Sequence, residues 1–440
     1  MSAIFGVLGP VAPASLEAMA HRLSHRGAHC DIQEVAQDTR LGCRSDYPVQ
    51  LSRSGQSCAV SDSWLYDPVQ DTGTENEPAI DAGTAALLAA YTQAGSDALN
   101  RVNGQFAVAI WDDANRQLVL ARDYTGTQPL YYAQPESGGL VFASEYKALL
   151  ALEQVPAQAD LDMIQRLQHY KHLPSDRTLL RDVRALPPGT VYTFDADGRL
   201  QARDRFPVIG LNVRQESMEQ SVERVAQSFM EATRIRLHGH KTIGVALSGG
   251  IDSIGVAYAC RKANPDAELH TFTAGSGADD PEVMTAGFVA EKIGSIHHNI
   301  FVTPDDLATY IPAVVWHMEN PIARTEALQF YKLGQEAGKH VDNLFTGAAA
   351  DGLFAGMPKH KILWLMHLLP VLRKPLGEFY NLTQSGRKPD SLLGKLLDRL
   401  GIDLGAIGVI ELNEAFAAVA LASMSELGIT DEIVNANGGA

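Results

Sequence analysis

The chain has 440 residues, enough for two or three domains, and its 45% hydrophobic and 20% charged residues are ordinary for a globular protein. Its net charge of −16 argues against a nucleic-acid partner, because phosphate binding relies on clustered Lys and Arg. No apolar run has the length of a membrane span and no secretory signal is present, so no membrane partner is expected. Four cysteines without metal-ligand spacing indicate reduced thiols in a cytoplasmic protein.

The N-terminal region, residues 1–206, consists of short apolar runs separated by Gly and Asp turns. One run begins at Ser2, a helix is predicted at 85–91, and further strands are predicted at 106–111, 118–122 and 191–194. Many strands with few helices predict stacked antiparallel sheets.

A different periodicity begins near residue 215. The stretch 218–237 is an amphipathic helix that carries its apolar residues on one face, namely Val222, Val225, Phe229, Ala232 and Ile235. Strands are then predicted at 243–247, 268–275 and 297–302, with helices at 254–261 and 282–293. This alternation predicts a doubly wound parallel sheet that binds ligands at the carboxyl ends of its strands.

The turn after the first of these strands is the principal motif, Ser248-Gly249-Gly250 followed by Asp252 and Ser253. Two glycines allow backbone N–H groups to approach an anion, and the helix behind them adds its positive end. The serine hydroxyls can donate to phosphate, and Asp252 can hold Mg²⁺. The alternative is a Gly-rich turn without chemistry, and the spacing matches neither a kinase-type P-loop nor GxGxxG.

The turn resembles the SGGxDS pyrophosphate loop of the ATP pyrophosphatases, and residues 1 to about 400 resemble the asparagine synthetase family. The matching segments are 4–7, 24–27, 103–107, 110–112, 121–123, 126–132, 142–149 and 186–189. The resemblance implies an α/β protein. A glutaminase-like αββα sandwich of stacked antiparallel sheets (N-terminal-nucleophile hydrolase type, 1–206) would precede a doubly wound ATP-pyrophosphatase domain (215–400).

The same resemblance implies that Leu247 and Thr273 flank the adenine, and that Thr346 and Gly347 help to bind pyrophosphate. It also implies that Asp351 joins Asp252 in holding Mg²⁺; the alternative role for Asp351 is a helix N-cap. The second motif departs from the family pattern, since Ala348, Ala349 and Gly352 replace a polar residue, a glycine and a glutamate, and Arg324 replaces an aspartate. These changes imply an acceptor other than aspartate, or a decayed site.

The glutaminase site departs further. Ser2 occupies the position of the family's nucleophilic cysteine, and Asp62, Ser63 and Trp64 replace an Asn-Gly-Glu segment. Gly83 and Ala85 stand where carboxylates should grip the substrate. Loss of charged partners costs binding energy, so we expect a scaffold without glutaminase activity, as in the related β-lactam synthetases and lasso-peptide cyclases.

The last stretch, 401–440, is similar to a thiolase fragment through 410–417 and 434–440, where Asn413 matches a residue of the thiolase oxyanion hole. The family's catalytic lysine has no clear counterpart, and its positional substitutes are Lys374, Lys388 and Lys395. The pair His297-His298 has the appearance of a metal site, whereas the resemblance implies a structural strand start.

Together these features predict an AMP-forming amide ligase that uses ATP and Mg²⁺. Its substrates would be a small-molecule or peptide carboxylate and an amine, and a homodimer is a candidate assembly. The rival hypothesis is a nucleotide-binding pseudoenzyme of the same family, supported by the missing lysine and the altered second motif.

Overall fold

A computed structural model of the chain describes residues 2–9, 13–48, 51–66, 80–207, 216–322 and 326–354. The chain divides into two compact units, Met1–Ala348 and Ala349–Ala440. Only the first six residues of the second unit are described, so the predicted thiolase-like segment lies outside the described residues. None of the helices in the described ranges combines the length and the apolar character that crossing a membrane requires.

The N-terminal half contains twelve strands and five helices within the described ranges. The strands are β1 (Ser2–Leu8), β2 (His29–Ala36), β3 (Thr39–Ser45), β4 (Ser52–Ser54), β5 (Ser57–Leu65), β6 (Gly104–Asp112), β7 (Gln117–Arg122), β8 (Tyr131–Ala133), β9 (Leu140–Ala143), β10 (Val183–Ala185), β11 (Thr190–Asp195) and β12 (Leu200–Arg205). The helices are α1 (Pro13–Arg22), α2 (Ile80–Ala94), α3 (Ser96–Leu99), α4 (Tyr146–Leu149) and α5 (Leu161–Tyr170).

These strands form two six-stranded antiparallel sheets, in the orders β10-β8-β9-β1-β3-β2 and β12-β11-β7-β6-β5-β4. Strand β6 shows how they stack, because its residues alternate between two cores. Trp111 packs between the sheets with Ile4, whereas Phe106 and Ile110 pack on the outer face with Leu87 of α2. Both faces are covered, so the predicted αββα sandwich is confirmed.

The second half alternates helices and strands. Its elements are α6 (Met218–Leu237), β13 (Thr242–Ala246), α7 (Ile251–Ala263), β14 (Glu268–Gly275), α8 (Pro281–Ile293), β15 (Ile296–Phe301), α9 (Pro304–Met318), α10 (Glu326–Ala337), β16 (Leu344–Thr346) and α11 (Ala350–Leu353). The four strands pair in parallel in the order β15-β14-β13-β16. Apolar residues of α7 and α8 cover one face of this sheet and those of α10 cover the other, which confirms the doubly wound prediction.

Helix α6 begins and ends where the sequence predicts, with a capping box formed by Ser217 and Gln220. Its apolar face is not fully packed within the described chain. Val222 is 59% exposed and Phe229 is 38% exposed, whereas the buried residues Thr233 and Leu237 lie in the last two turns. Among the described residues, the C-terminal end of the helix is therefore the part that anchors it to the core.

One buried carboxylate joins the two halves of the first unit. Glu319 follows α9 and accepts hydrogen bonds from the backbone N–H groups of Tyr146 (2.9 Å) and Lys147 (2.6 Å), at the start of α4. The Lys147 ammonium lies 3.7 Å from Glu319 and 4.1 Å from the ring centroid of Trp316. Burial raises the pKa of Glu319 to about 7, although these donors act in the opposite direction.

This raised pKa predicts a pH-dependent stability. Between the unfolded-state pKa of about 4.3 and about 7, the folded state holds a proton that the unfolded state has lost. The contribution of Glu319 is thus fully present below about pH 4.3 and disappears as the pH rises towards 7. Between pH 5 and 7.5 we expect the free energy of unfolding of wild type to fall by roughly 1–3 kcal/mol more than that of Glu319→Gln.

Urea denaturation of both proteins at the two pH values measures this difference. An identical pH dependence in Glu319→Gln and wild type would contradict the prediction.

Candidate functional site

The turn from β13 into α7 is held by the hydroxyl of Ser253, a buried residue in the first turn of α7. Its Oγ accepts from the Ser248 N–H at 3.0 Å, donates towards the carbonyls of Ser248 and Gly250 at 3.2 and 3.0 Å, and lies 2.9 Å from Ser248 Oγ. Ser248 Oγ in turn accepts from the Gly250 N–H at 3.2 Å. The serines of the motif therefore shape the loop as well as offering donors to a ligand.

The start of α7 is suited to an anion. Gly250 is its N-cap, and in the described part of the chain no side chain caps this helix start. Its first N–H groups are thus available to a ligand, and they lie at the positive end of the helix. Gly250 is exposed and Asp252 is half-buried, so both are accessible from solvent.

The second sequence motif lies against the first. A Cβ atom on Gly347 would be 2.6 Å from the Ser253 nitrogen and 2.7 Å from the Asp252 carbonyl carbon, so only glycine fits between β16 and the start of α7. Thr346, exposed at the end of β16, accepts the Ala348 N–H at 3.1 Å. The fold therefore brings together two motifs that lie almost a hundred residues apart.

Thr273 and Leu247 also lie side by side. The Thr273 hydroxyl donates to the Leu247 carbonyl at 2.6 Å, and both residues are buried. The Gly249 backbone lies beside α8, where an added Cβ would be 3.3 Å from Thr285. The predicted adenine and phosphate residues thus border the carboxyl ends of adjacent strands β13 and β14.

Asp351 belongs to the second unit and lies in the first turn of α11. The N-cap of this helix is Ala349, so the alternative that Asp351 is the N-cap is wrong. Ala349 has φ +73°, a left-handed conformation that costs an L-residue about 1–2 kcal/mol. The pairing of Asp351 with Asp252 around a metal stays a prediction.

At the predicted glutaminase site, Ser2 Oγ donates to Asp62 at 2.5 Å, and both residues are buried. Burial raises the pKa of Asp62, and its second oxygen has no hydrogen-bond partner in the described residues. The nucleophile position thus faces a carboxyl group. The charge of Arg26 lowers the pKa of this carboxyl group, and the charge of Glu145 raises it.

Hydroxyl groups fill the neighbouring space. Ser61 Oγ lies 2.8 Å from Ser63 Oγ and 2.7 Å from Thr84 Oγ1, and a Cβ on Gly83 would be 2.6 Å from Ser63 Oγ. Ala85 is exposed and provides no charge. Trp64 is 41% exposed, and its ring stacks on that of His240 with the ring centroids 5.4 Å apart.

Sequence reasoning missed an ionic cluster around Glu145. This buried carboxylate accepts from Arg26 Nε at 2.5 Å, contacts His25 Nε2 at 2.9 Å and pairs with Lys147. Burial alone would raise the pKa of Glu145, but the charges of Arg26 and Lys147 and the hydrogen bond with His25 hold it below its usual value. The residues lie in the matching segments 24–27 and 142–149, for which the sequence alone predicts no role in a site.

Several predicted residues lie outside the described ranges, namely Arg324, Lys374, Lys388, Lys395 and Asn413. The structure therefore gives no position for a catalytic lysine. The pair His297-His298 does begin strand β15, as the resemblance implies.

Three family models match the chain: asparagine synthase over residues 224–402, a glutamine amidotransferase domain over 70–205, and the thiolase C-terminal domain over 380–440. The thiolase match confirms the similarity found at the end of the chain and begins earlier than residue 401. Among solved structures, glutamine phosphoribosylpyrophosphate amidotransferase from B. subtilis is 13% identical with a TM-score of 0.35. It covers 77% of this chain and 97% of that one. A likeness this weak does not bear on function.

A putative glutamine-hydrolyzing asparagine synthetase of Mycobacterium tuberculosis is 32% identical over 72% of this chain and 49% of its own length. Asparagine synthetase 1 of Bacillus subtilis is 30% identical over 63% of this chain and 43% of its own length. The chain thus spans about half the length of the curated relatives it matches. By these matches and the fold, it belongs to the asparagine synthetase family, with a thiolase-type C-terminal segment.

Proposed function

We propose that this chain is an AMP-forming amide ligase whose glutaminase half is inactive. The observation that carries the proposal is the loop Ser248–Ser253, which presents an uncapped helix start beside Gly347. In the proposed reaction a carboxylate oxygen displaces pyrophosphate from the α phosphorus of ATP. An amine then displaces AMP from the acyl group.

The residues at the loop fit a nucleotide. The free N–H groups at the start of α7 would bind the β and γ phosphates, which leave as pyrophosphate. Leu247 and Thr273 would lie against the adenine, since Leu247 directly follows β13 and Thr273 lies near the end of the adjacent strand β14. Asp252 and Asp351 would hold Mg²⁺, whose role when bound is to neutralise phosphate charge.

Positioning accounts for most of the catalysis proposed for this chain. The Ser253 hydroxyl fixes the loop before substrate arrives, so binding does not have to order it. The loop N–H groups would stabilise the charge that develops on the leaving pyrophosphate.

Nucleotide binding should depend on glycine at position 347. We expect Gly347→Ala to weaken ATP·Mg²⁺ or pyrophosphate binding at least about tenfold from a micromolar-to-millimolar starting point, because the new Cβ would push the start of α7 out of place. The matched control is Gly255→Ala within α7, where a Cβ meets open space. Asp252→Asn should weaken only the Mg²⁺-dependent part.

Isothermal titration calorimetry measures all three variants. Absence of binding to the wild-type chain, or equal affinities for Gly347→Ala and Gly255→Ala, would refute the assignment of this loop.

The N-terminal half should not release ammonia from glutamine. A carboxyl group 2.5 Å from Ser2 Oγ opposes the negative charge that builds on an attacked carbonyl oxygen, where a catalyst would place donors. The hydroxyls of Ser61, Ser63 and Thr84 hold no charge to pair with the substrate's α-ammonium group.

Ammonia release measured with glutamate dehydrogenase coupling tests this expectation, with Ser2→Ala as the background. Release above that background would show an active glutaminase.

The second candidate function is a nucleotide-binding pseudoenzyme, and the conformation of Ala349 favours it. A left-handed alanine two residues before Asp351 strains the motif at a position where the resemblance implies glycine. Pyrophosphate–ATP exchange with a panel of amino acids and peptide acids separates the two candidates.

We expect exchange with at least one acid. Its rate should be about 10²–10³ below that of an intact family site if no lysine reaches the α phosphate. Exchange should be lost in Gly347→Ala. No exchange with any acid, by a chain that still binds ATP, would select the pseudoenzyme.

A further inference from the structure

Three histidines from separate parts of the chain meet on the sheet face that α10 covers. His270 lies on β14, His298 lies on β15, and His340 lies just after α10. One ring nitrogen from each lies within 4.8 Å of the other two. None of them belongs to the nucleotide loop, so the proposed ligase function does not use this cluster.

The topology explains why they meet. His270 and Phe272 are two residues apart on β14 and share a face, and His298 pairs with Phe272 in the parallel register. Phe272 packs against Leu333 and Ala337 of α10, which brings the residues after that helix to the same place. The centroid of the His298 ring lies 4.8 Å from that of the Phe272 ring and 4.3 Å from that of the His340 ring.

Two of the three rings are oriented by a carboxylate. Glu268 Oε1 lies 2.8 Å from His270 Nε2, and Glu336 Oε1 lies 3.2 Å from His340 Nε2. A carboxylate on one ring nitrogen fixes the tautomer and leaves the other nitrogen as an electron-pair donor, an arrangement that accompanies most histidine ligands of metals. For His270 that other nitrogen is Nδ1, which lies 3.0 Å from His298 Nε2.

We propose that His270, His298 and His340 form a binding site for a borderline divalent transition metal such as Zn²⁺. Imidazole nitrogens suit Zn²⁺, Ni²⁺ and Cu²⁺, whereas Mg²⁺ requires oxygen ligands. Ligands at 2.0–2.1 Å in a tetrahedral site lie about 3.3 Å apart, so the His270–His298 pair must open slightly. On binding, the proton between these two rings moves to the other nitrogen of His298, Nδ1, so that both facing nitrogens offer an electron pair to the metal, and the exposed His340 ring turns to complete the set.

The site is separate from the nucleotide loop. Thr273 lies three residues beyond His270 along β14, about 10 Å away and on the opposite face of the sheet. His270 is 5% exposed and His340 is exposed, so a metal enters from solvent and keeps one coordination position open. Its bound ion would connect β14 and β15 to the chain that leads into β16.

The test uses the tag-free full chain, dialysed against chelator and titrated with Zn²⁺ in excess Mg²⁺, which occupies carboxylate sites. We expect one Zn²⁺ per chain, and a Co²⁺ complex with visible absorption bands. His340→Ala should weaken Zn²⁺ binding by at least about tenfold and abolish those bands. Glu268→Gln should weaken it by about tenfold through the orientation of His270.

His297→Ala is the matched control. It changes the neighbouring residue, whose ring lies 2.9 Å from the Thr271 hydroxyl and is not among the three ligands, and it should bind Zn²⁺ as wild type does. Circular dichroism verifies that each variant folds, which the exposure of His340 favours. Absence of stoichiometric Zn²⁺ binding to wild type, or equal affinities for His340→Ala and His297→Ala, would overturn the proposal.

Discussion

The turn between β13 and α7 depends on the buried hydroxyl of Ser253. Its oxygen accepts from the Ser248 N–H and its hydrogen points towards the carbonyls of Ser248 and Gly250, the second of which also accepts the helical bond from the Ile254 N–H at 3.2 Å. With the loop fixed in this way, the start of α7 stays free of a side-chain cap and the chain after β16 can approach at Gly347. The availability of the backbone N–H groups at the start of α7 therefore follows from how the turn is held, as well as from its two glycines.

Buried polar groups in the N-terminal half find partners among themselves. Such groups cost stability unless they are hydrogen-bonded. Ser61, Ser63 and Thr84 satisfy one another beside the predicted glutaminase site. Asp62 is the exception, since one of its oxygens lacks a partner in the described residues.

Local pattern predicted the elements well and long-range contacts poorly. The strand at 268–275 and the helix at 218–237 have the predicted bounds, because alternation and helical period are properties of the local sequence. Periodicity does not tell which apolar face is covered, and Val222 and Phe229 of α6 remain substantially exposed.

The candidate sites also differ in how far the local sequence predicts them. The Ser248–Ser253 loop is recognisable because its residues are contiguous. The meeting of His270 with His340 depends on sheet order and on the path of α10, and nothing in the local sequence encodes it. The pair His297-His298 drew attention to the right strand, but only His298 faces the cluster. The N-cap role that the local sequence suggests for Asp351 is wrong, because Ala349 is the N-cap of α11.

The contact at Glu319 shows one way in which the N-terminal half contributes to the stability of the second half. The carboxylate is buried by α4 and accepts two of the N–H groups at the start of that helix. Lys147, from the same helix, lies over Trp316 of α9. Without the N-terminal half, the Glu319 carboxylate would lose both backbone donors and its cation, and the Trp316 ring its covering ammonium. Leaving a buried polar group without its hydrogen-bond donors commonly costs about 1–3 kcal/mol. The sandwich is therefore part of the structural support of the synthetase half, whether or not Ser2 ever acts as a nucleophile.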